Sequence, residues 1–262
     1  MRPIDVKGFL YRLMWAFALW MALPLCASAQ IGEHRSELAV GFNAGYNLTN
    51  VGFTPSIKQG MLGNVTGGLS VRYTCEKYFT TVCAIVAELN IAKYGWKEDI
   101  IDEKDNPVIN SVTGEAEEFE RELTYVQLPL MARLGWGRER KGFQFFFQVG
   151  PQIGYYISDT KTYNFDFDDM NVNDRVGAMQ EAVNDTLEIQ NKLDYGITGG
   201  VGLEYSHPKL GHFILEGRYY YGLGDIFENS KSDYFGRSNN NAIIVKFTWL
   251  IDIKKTKNDK IR

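Results

Sequence analysis

The chain has 262 residues with 26 Gly, 15 Tyr, 16 Phe and 7 Pro, and a formal net charge of −4. That is room for one large domain or two small ones. Three cysteines exclude a disulfide-built scaffold, a slightly negative mean hydropathy excludes a bundle of membrane helices, and an acidic balance lacks the basic footprint that holds nucleic acid.

Residues 1–29 read as a cleaved secretory signal. Arg2, Lys7 and Arg12 precede an apolar run from Leu13 to Leu25. That run is about 13 residues long, too short for a membrane-spanning helix, which needs about 20. Ala27, Ser28 and Ala29 then place small residues before Gln30, the pattern of a signal-peptidase site. Cys26 invites a lipoprotein reading, but Leu25 stands where that motif needs a small residue. The signal carries a net +2, so the remainder is near −6.

After the signal, apolar and polar residues alternate with period two in eight segments, the signature of half-buried strands. The first runs through Leu38, Val40, Phe42, Ala44, Tyr46 and Leu48. The second runs through Val65, Leu69, Val71 and Tyr73, the third through Cys83, Ile85, Ala87, Leu89 and Ile91, and the fourth through Val126, Leu128, Leu130, Ala132 and Leu134. The fifth carries Phe143, Phe145, Phe147, Val149 and Ile153, and the sixth Leu193, Tyr195, Ile197, Val201 and Leu203. The seventh carries Phe213, Leu215, Tyr219 and Tyr221, and the eighth Ile243, Val245, Phe247, Trp249, Ile251 and Ile253. Pro129 and Pro151 lack a ladder N–H, so bulges are expected there.

The connections alternate between short, near residues 74–79, 137–142 and 206–211, and long, near 49–63, 97–121, 159–191 and 224–240. In an up-and-down order all long loops share one end, as in outer-membrane barrels, and both termini lie at the short-turn, periplasmic end. Alternation does not by itself exclude a soluble lipocalin-type barrel with an apolar interior. Three features favour the membrane form. The polar stripe carries Arg72, Glu88, Arg133, Glu204, Glu216 and Arg218, three of each sign, as a narrow lumen of paired charges requires. Many other polar-stripe positions are Gly, which suits crowding inside a tight barrel. Tyr94, Trp96, Trp136, Tyr155, Tyr156, Tyr219, Tyr221 and Trp249 sit near strand ends and are expected to form interfacial girdles.

The segments Thr124–Arg133 (TYVQLPLMAR), Gly150–Tyr156 (GPQIGYY) and Asp194–Tyr205 (DYGITGGVGLEY) resemble the PorT-type outer-membrane β-barrel family, and the likeness runs over nearly the whole chain after the signal. The resemblance implies an eight-stranded barrel in the outer membrane. One member of that family is associated with protein secretion, but no residue here matches that role. Many outer-membrane barrels end on an aromatic residue. Here the last strand ends near Ile253 and a basic tail, residues 254–262, follows; Phe247 and Trp249 are an internal substitute for that signal.

Few residues carry candidate chemistry. Cys75 and Cys83 flank the turn after the second segment. If they face each other, Tyr73 pairs with Ile85 and Val71 with Ala87, and a disulfide can close in an oxidising compartment; two free thiols are the alternative. Neither has the further N or S ligands a metal needs. Asp169, Asn171 and Asn173 have the spacing that opens a calcium loop, but Asp174 and Gln180 break the motif where Gly and Glu belong. His34, His207 and His212 all fall at the short-turn end, which disfavours an outer-leaflet hydrolase, and His207 and His212 are expected to solvate one turn. Gly199–Gly202 lies in a strand and opens no helix, so it is no phosphate loop.

The sequence therefore predicts an all-β, eight-stranded antiparallel up-and-down transmembrane β-barrel over residues 30–253, with no cofactor and no catalytic residues. Its expected contacts are outer-membrane lipid, the barrel assembly machinery and other envelope or secretion proteins. A narrow porin-like channel, a secretion component and a lipid-modifying enzyme are the alternatives.

Overall fold

A computed structural model describes residues 32–102, 104–110, 113–165, 187–228 and 235–256. The expected signal peptide, the calcium-like spacing at 169–180 and all but the first three residues of the basic tail lie outside these. The described chain forms nine strands: β1 (Glu33–Thr54), β2 (Gln59–Gly60), β3 (Leu62–Tyr78), β4 (Thr81–Asp99), β5 (Glu118–Gly137), β6 (Gly142–Tyr163), β7 (Leu193–His207), β8 (Gly211–Asp225) and β9 (Arg237–Lys254). All pairings are antiparallel. β1 closes on β9 and β4 on β5, so the eight long strands form a complete ring, and β2 is a two-residue strand on β4. Closure leaves no free edge along the length of the ring, the general solution to the edge-strand problem.

Short turns join β3 to β4, β5 to β6 and β7 to β8. Every longer connection lies at the opposite end, and β1 begins and β9 ends beside the short turns. Gly211 carries the tightest requirement among these turns. Its φ is 89°, and a Cβ there would meet the Leu250 carbonyl oxygen at 2.1 Å, so only glycine is unstrained.

Each strand alternates as the sequence indicates, with the apolar stripe outward. Phe42, Val65, Ile91, Leu128, Phe143, Ile197, Leu215 and Val245 are exposed, while Arg72, Glu88, Arg133, Glu204, Glu216 and Arg218 are buried inside. Inside the ring backbones pass close: a Cβ on Gly41 would lie 1.7 Å from the Trp249 carbonyl oxygen. Glycine on the inner stripe therefore lets neighbouring strands curve together.

The eight long strands, at 15 to 22 residues, exceed the roughly 9–11 that cross a bilayer. Beyond the apolar band the pattern inverts. On β5, Glu118, Glu120 and Glu122 face outward while Phe119, Arg121 and Leu123 are buried; on β4, Lys93 and Lys97 face outward while Tyr94 and Trp96 are fully buried. This corrects the girdle expectation for Tyr94 and Trp96, which point into the cylinder. Tyr156 is also turned toward the interior, against Tyr125. Trp136, Tyr155, Tyr219, Tyr221 and Trp249 do lie on the outer surface.

No bulge forms at Pro129 or Pro151. The β5–β6 register is the same on both sides, with Pro129 opposite Gln152 and Ala132 opposite Val149. The two prolines sit side by side on adjacent strands, so their missing donors leave one local gap in the ladder instead of a shift. The irregularities lie elsewhere, among them one at Cys75 and one where β5 passes from Thr124 to Tyr125.

Candidate functional site

The interior is a stack of side-chain layers, and the six charges singled out in the sequence occupy its middle. Glu204 accepts from Arg72 at 2.6 Å and from Arg133. Glu88 accepts both terminal nitrogens of Arg218, at 2.9 and 2.6 Å, and Lys246 Nζ at 2.6 Å. Glu216 takes Arg218 at 2.5 Å and the Gln148 amide at 2.6 Å. The residues come from β3, β4, β5, β6, β7, β8 and β9, so the network ties opposite walls together. Such burial is tolerable only because each charge is paired and hydrogen-bonded.

Two members were missed in the sequence. Lys246 lies on the polar stripe of the last segment and is the second cation on Glu88. His212, expected to solvate a turn, is buried instead, with Nδ1 2.7 Å from Glu204 and Nε2 3.0 Å from Asp252. The parity of β8, shared with Glu216 and Arg218, is the signal that points it inward. His207 does serve the turn, accepting from the Lys209 and Leu210 amides.

Ser206 Oγ lies 2.9 Å from His212 Nδ1, so Ser206, His212 and Asp252 share the proximity of a nucleophile, base and orienting acid. The electrostatics differ from such a triad. Each ring nitrogen faces a carboxylate, so neither is left to take a proton from Ser206, which is itself buried. A working base must be free to accept that proton.

Toward the short turns lies a small polar vestibule, lined by Glu37, Arg72, Arg133, Glu139, Glu204 and His212. Its mouth is crossed by the β5–β6 turn: Glu139 accepts from Arg35 on β1 at 3.0 Å and from Lys77 on β3 at 2.6 Å. Burial alone would push the Glu139 carboxyl up, but the two cations outweigh it and hold it below the usual carboxylate range. Next to it Arg140 bonds Glu37 at 3.1 Å and the Thr256 carbonyl, tying both ends of the barrel sequence to this turn.

Toward the long loops the ionic layer gives way to amides, with Asn43 donating to Ser70 and Asn90, and then to tyrosines. Tyr94 packs against Tyr125 and Tyr220, and Tyr220 donates to the buried Asp194 at 2.7 Å. Above these an apolar plug closes the cylinder. Phe53 packs on Trp96 at 5.2 Å and on Phe235 at 4.7 Å, and Phe227 completes the group. The Arg121 guanidinium lies 5.9 Å from both the Trp96 and Phe227 rings and pairs with Asp159 at 2.7 Å. The interior is therefore ionic through its middle and its short-turn end and largely aromatic toward the long loops, where Arg121 is buried among the rings.

Cys75 and Cys83 carry free thiols in this structure, unbonded to each other. The register slips between Thr74 and Glu76, which sets Cys83 opposite Glu76 in the ladder and leaves Cys75 as the extra residue. The Tyr73–Ile85 and Val71–Ala87 pairs form as drawn. Among the described residues no group of His, Cys, Asp and Glu could hold a metal ion.

A closed ring with a greasy exterior and a charged interior is the inside-out order of a membrane barrel. The family model for the outer membrane protein beta-barrel domain matches residues 28–228. The chain belongs to that family. This outer-membrane barrel matches no curated protein sequence. Among solved structures it is similar to Ail, the attachment invasion locus protein of Yersinia pestis, in complex with the heparin analogue sucrose octasulfate. Identity is 11%, coverage 82% of this chain and 99% of that one, and the TM-score 0.35. Neisserial surface protein A matches at 8% identity, covering 81% and 96%, with a TM-score of 0.38. OprG from Pseudomonas aeruginosa matches at 10% identity, covering 84% and 96%, with a TM-score of 0.36.

Proposed function

We propose that this outer-membrane barrel is a closed, non-enzymatic scaffold that acts by presenting its long-loop end to other envelope or surface molecules. The observation that carries this reading is the filled interior. Paired charges occupy the middle and an aromatic plug caps the long-loop end, so the surface, and not a lumen, is left to do the work. An interior of eight strands is about the size that side chains can fill. The six charges Arg72, Glu88, Arg133, Glu204, Glu216 and Arg218, with Lys246 and His212, act in this reading as the barrel's ionic core. The termini and short turns are periplasmic and the long loops external. Residues 1–29 are removed on export, and the last strand, with Phe247 and Trp249, is what the assembly machinery reads. The PorT-type likeness adds a secretion complex as one partner class.

Orientation and presentation are tested together in living cells, in a Cys-free background. A membrane-impermeant maleimide is expected to label Asp105→Cys and not Lys209→Cys. A photo-crosslinker at Ile109, which is exposed, is expected to give one discrete adduct, lost when residues 100–117 are replaced by a glycine-serine linker. Labelling only at position 209 would reverse the orientation, and an adduct indifferent to the loop would remove the presenting role.

A further inference from the structure

Of the three cysteines, Cys26 falls in the expected signal, so the barrel keeps two among more than 200 residues, and those two meet across a single hairpin. The outward stripe of β3 runs Val71, Tyr73 and then Cys75, and that of β4 runs Ala87, Ile85 and then Cys83. Tyr73 opposes Ile85, so the next outward position on each strand is a cysteine. The ladder counts two residues, Cys75 and Glu76, against Cys83 alone, the arrangement of a bulge. The extra residue of such a bulge shares its opposite residue with the next one, and a disulfide needs a Cα separation of about 4.4–6.8 Å. Both residues are half-exposed, within reach of a reagent.

We propose that Cys75 and Cys83 are a dithiol modification site, closed to an intramolecular disulfide in the exported barrel by a disulfide-bearing thiol oxidoreductase. The Cys83 thiolate attacks one sulfur of the oxidant's disulfide, and its partner sulfur leaves as a thiolate. Cys75 then attacks the mixed disulfide, forming the Cys75–Cys83 bond and releasing the oxidant as a dithiol that carries the two electrons and both protons. Either face of the outer membrane lies outside the reducing cytosol, so the bond can form whichever way the barrel points. The bond would staple the one hairpin whose register is interrupted.

The test is thiol counting on full-length protein from acid-quenched envelopes. Under denaturing conditions, maleimide-polyethylene glycol is expected to add nothing before reduction and two adducts after it. Cys75→Ser is expected to give one adduct without any reductant, because Cys83 has lost its partner. The reduced barrel with oxidised glutathione is expected to reach the same adduct-free state as a monomer. Two adducts on quenched protein before reduction would overturn the proposal. So would a disulfide-linked dimer on a non-reducing gel, a Cys83 still blocked in Cys75→Ser, or two stable glutathione adducts on one chain.

Discussion

Glu88 and Glu204 each neutralise two cations, whereas Glu216 shares Arg218 with Glu88. Substitution should therefore be graded and not uniform. Glu204→Leu leaves Arg72 and Arg133 without their carboxylate, and Glu88→Leu does the same to Lys246; breaking such buried pairs costs about 3–5 kcal/mol. Glu216→Leu leaves Arg218 its two bonds to Glu88 and should cost visibly less. Urea unfolding in detergent micelles, followed by tryptophan fluorescence, gives the order directly; equal midpoints for all three would show that the pairs are not independent. Glu139 belongs to the same scale but to the barrel mouth. Its carboxyl is held below the usual range by Arg35 and Lys77 once burial is overcome. A depressed carboxylate stabilises the fold above its unfolded value, near 4.3, and loses that contribution as pH falls through the folded value. Wild type should therefore loosen more on acidification below about pH 4 than Glu139→Gln. Limited proteolysis of the 138–141 turn reports it, and identical pH profiles would remove Glu139 as the latch.

At the scale of the strand, what decides side-chain identity is the surroundings at each height. In the apolar band the rule is greasy outside and polar inside. Above it, on β4 and β5, the rule reverses: Lys93, Lys97, Glu118, Glu120 and Glu122 face outward, and Tyr94, Trp96, Phe119 and Leu123 face inward. Arginine should report this boundary. Leu69→Arg, in the middle of the band, should cost about 2–4 kcal/mol, and Thr160→Arg, on the protruding part of β6, about 0–1. Comparable costs at the two sites would mean that the apolar band does not mark the lipid. The reversal also explains what was legible in the sequence. Period-two alternation identified all eight long strands and sorted Arg72, Glu88, Arg133, Glu204, Glu216 and Arg218 to one face, because inside the band polarity and parity agree. It ended β4 too early and began β5 too late, because there polarity changes sign while parity continues. Counting parity onward from Glu88 and Asn90 reaches Tyr94 and Trp96 on the inside; treating every terminal aromatic as interfacial places them wrongly. Partners across the ring, such as Arg218 of β8 on Glu88 of β4, depend on register and closure, which no single segment encodes.

For the whole molecule, two barriers of different kind lie in series along one axis. The ionic core resists a passing ion because its charges are already paired and would have to be separated in a medium of low polarisability. The plug of Phe53, Trp96, Phe227 and Phe235 resists water because an apolar constriction offers it no hydrogen bonds. Series barriers predict that opening one leaves the barrel shut. Planar bilayers containing the wild-type protein should show no discrete conductance steps. The double variant Trp96→Ala, Phe227→Ala should remain silent as well, although its heat-induced gel shift should fall to lower temperature, since each large-to-small change in a packed cluster costs about 3–5 kcal/mol. Steps from the wild type would contradict the closed interior altogether. Steps from the double variant alone would show that the paired charges let ions through and that the aromatic plug is the seal, so the two recordings separate the roles of the two layers.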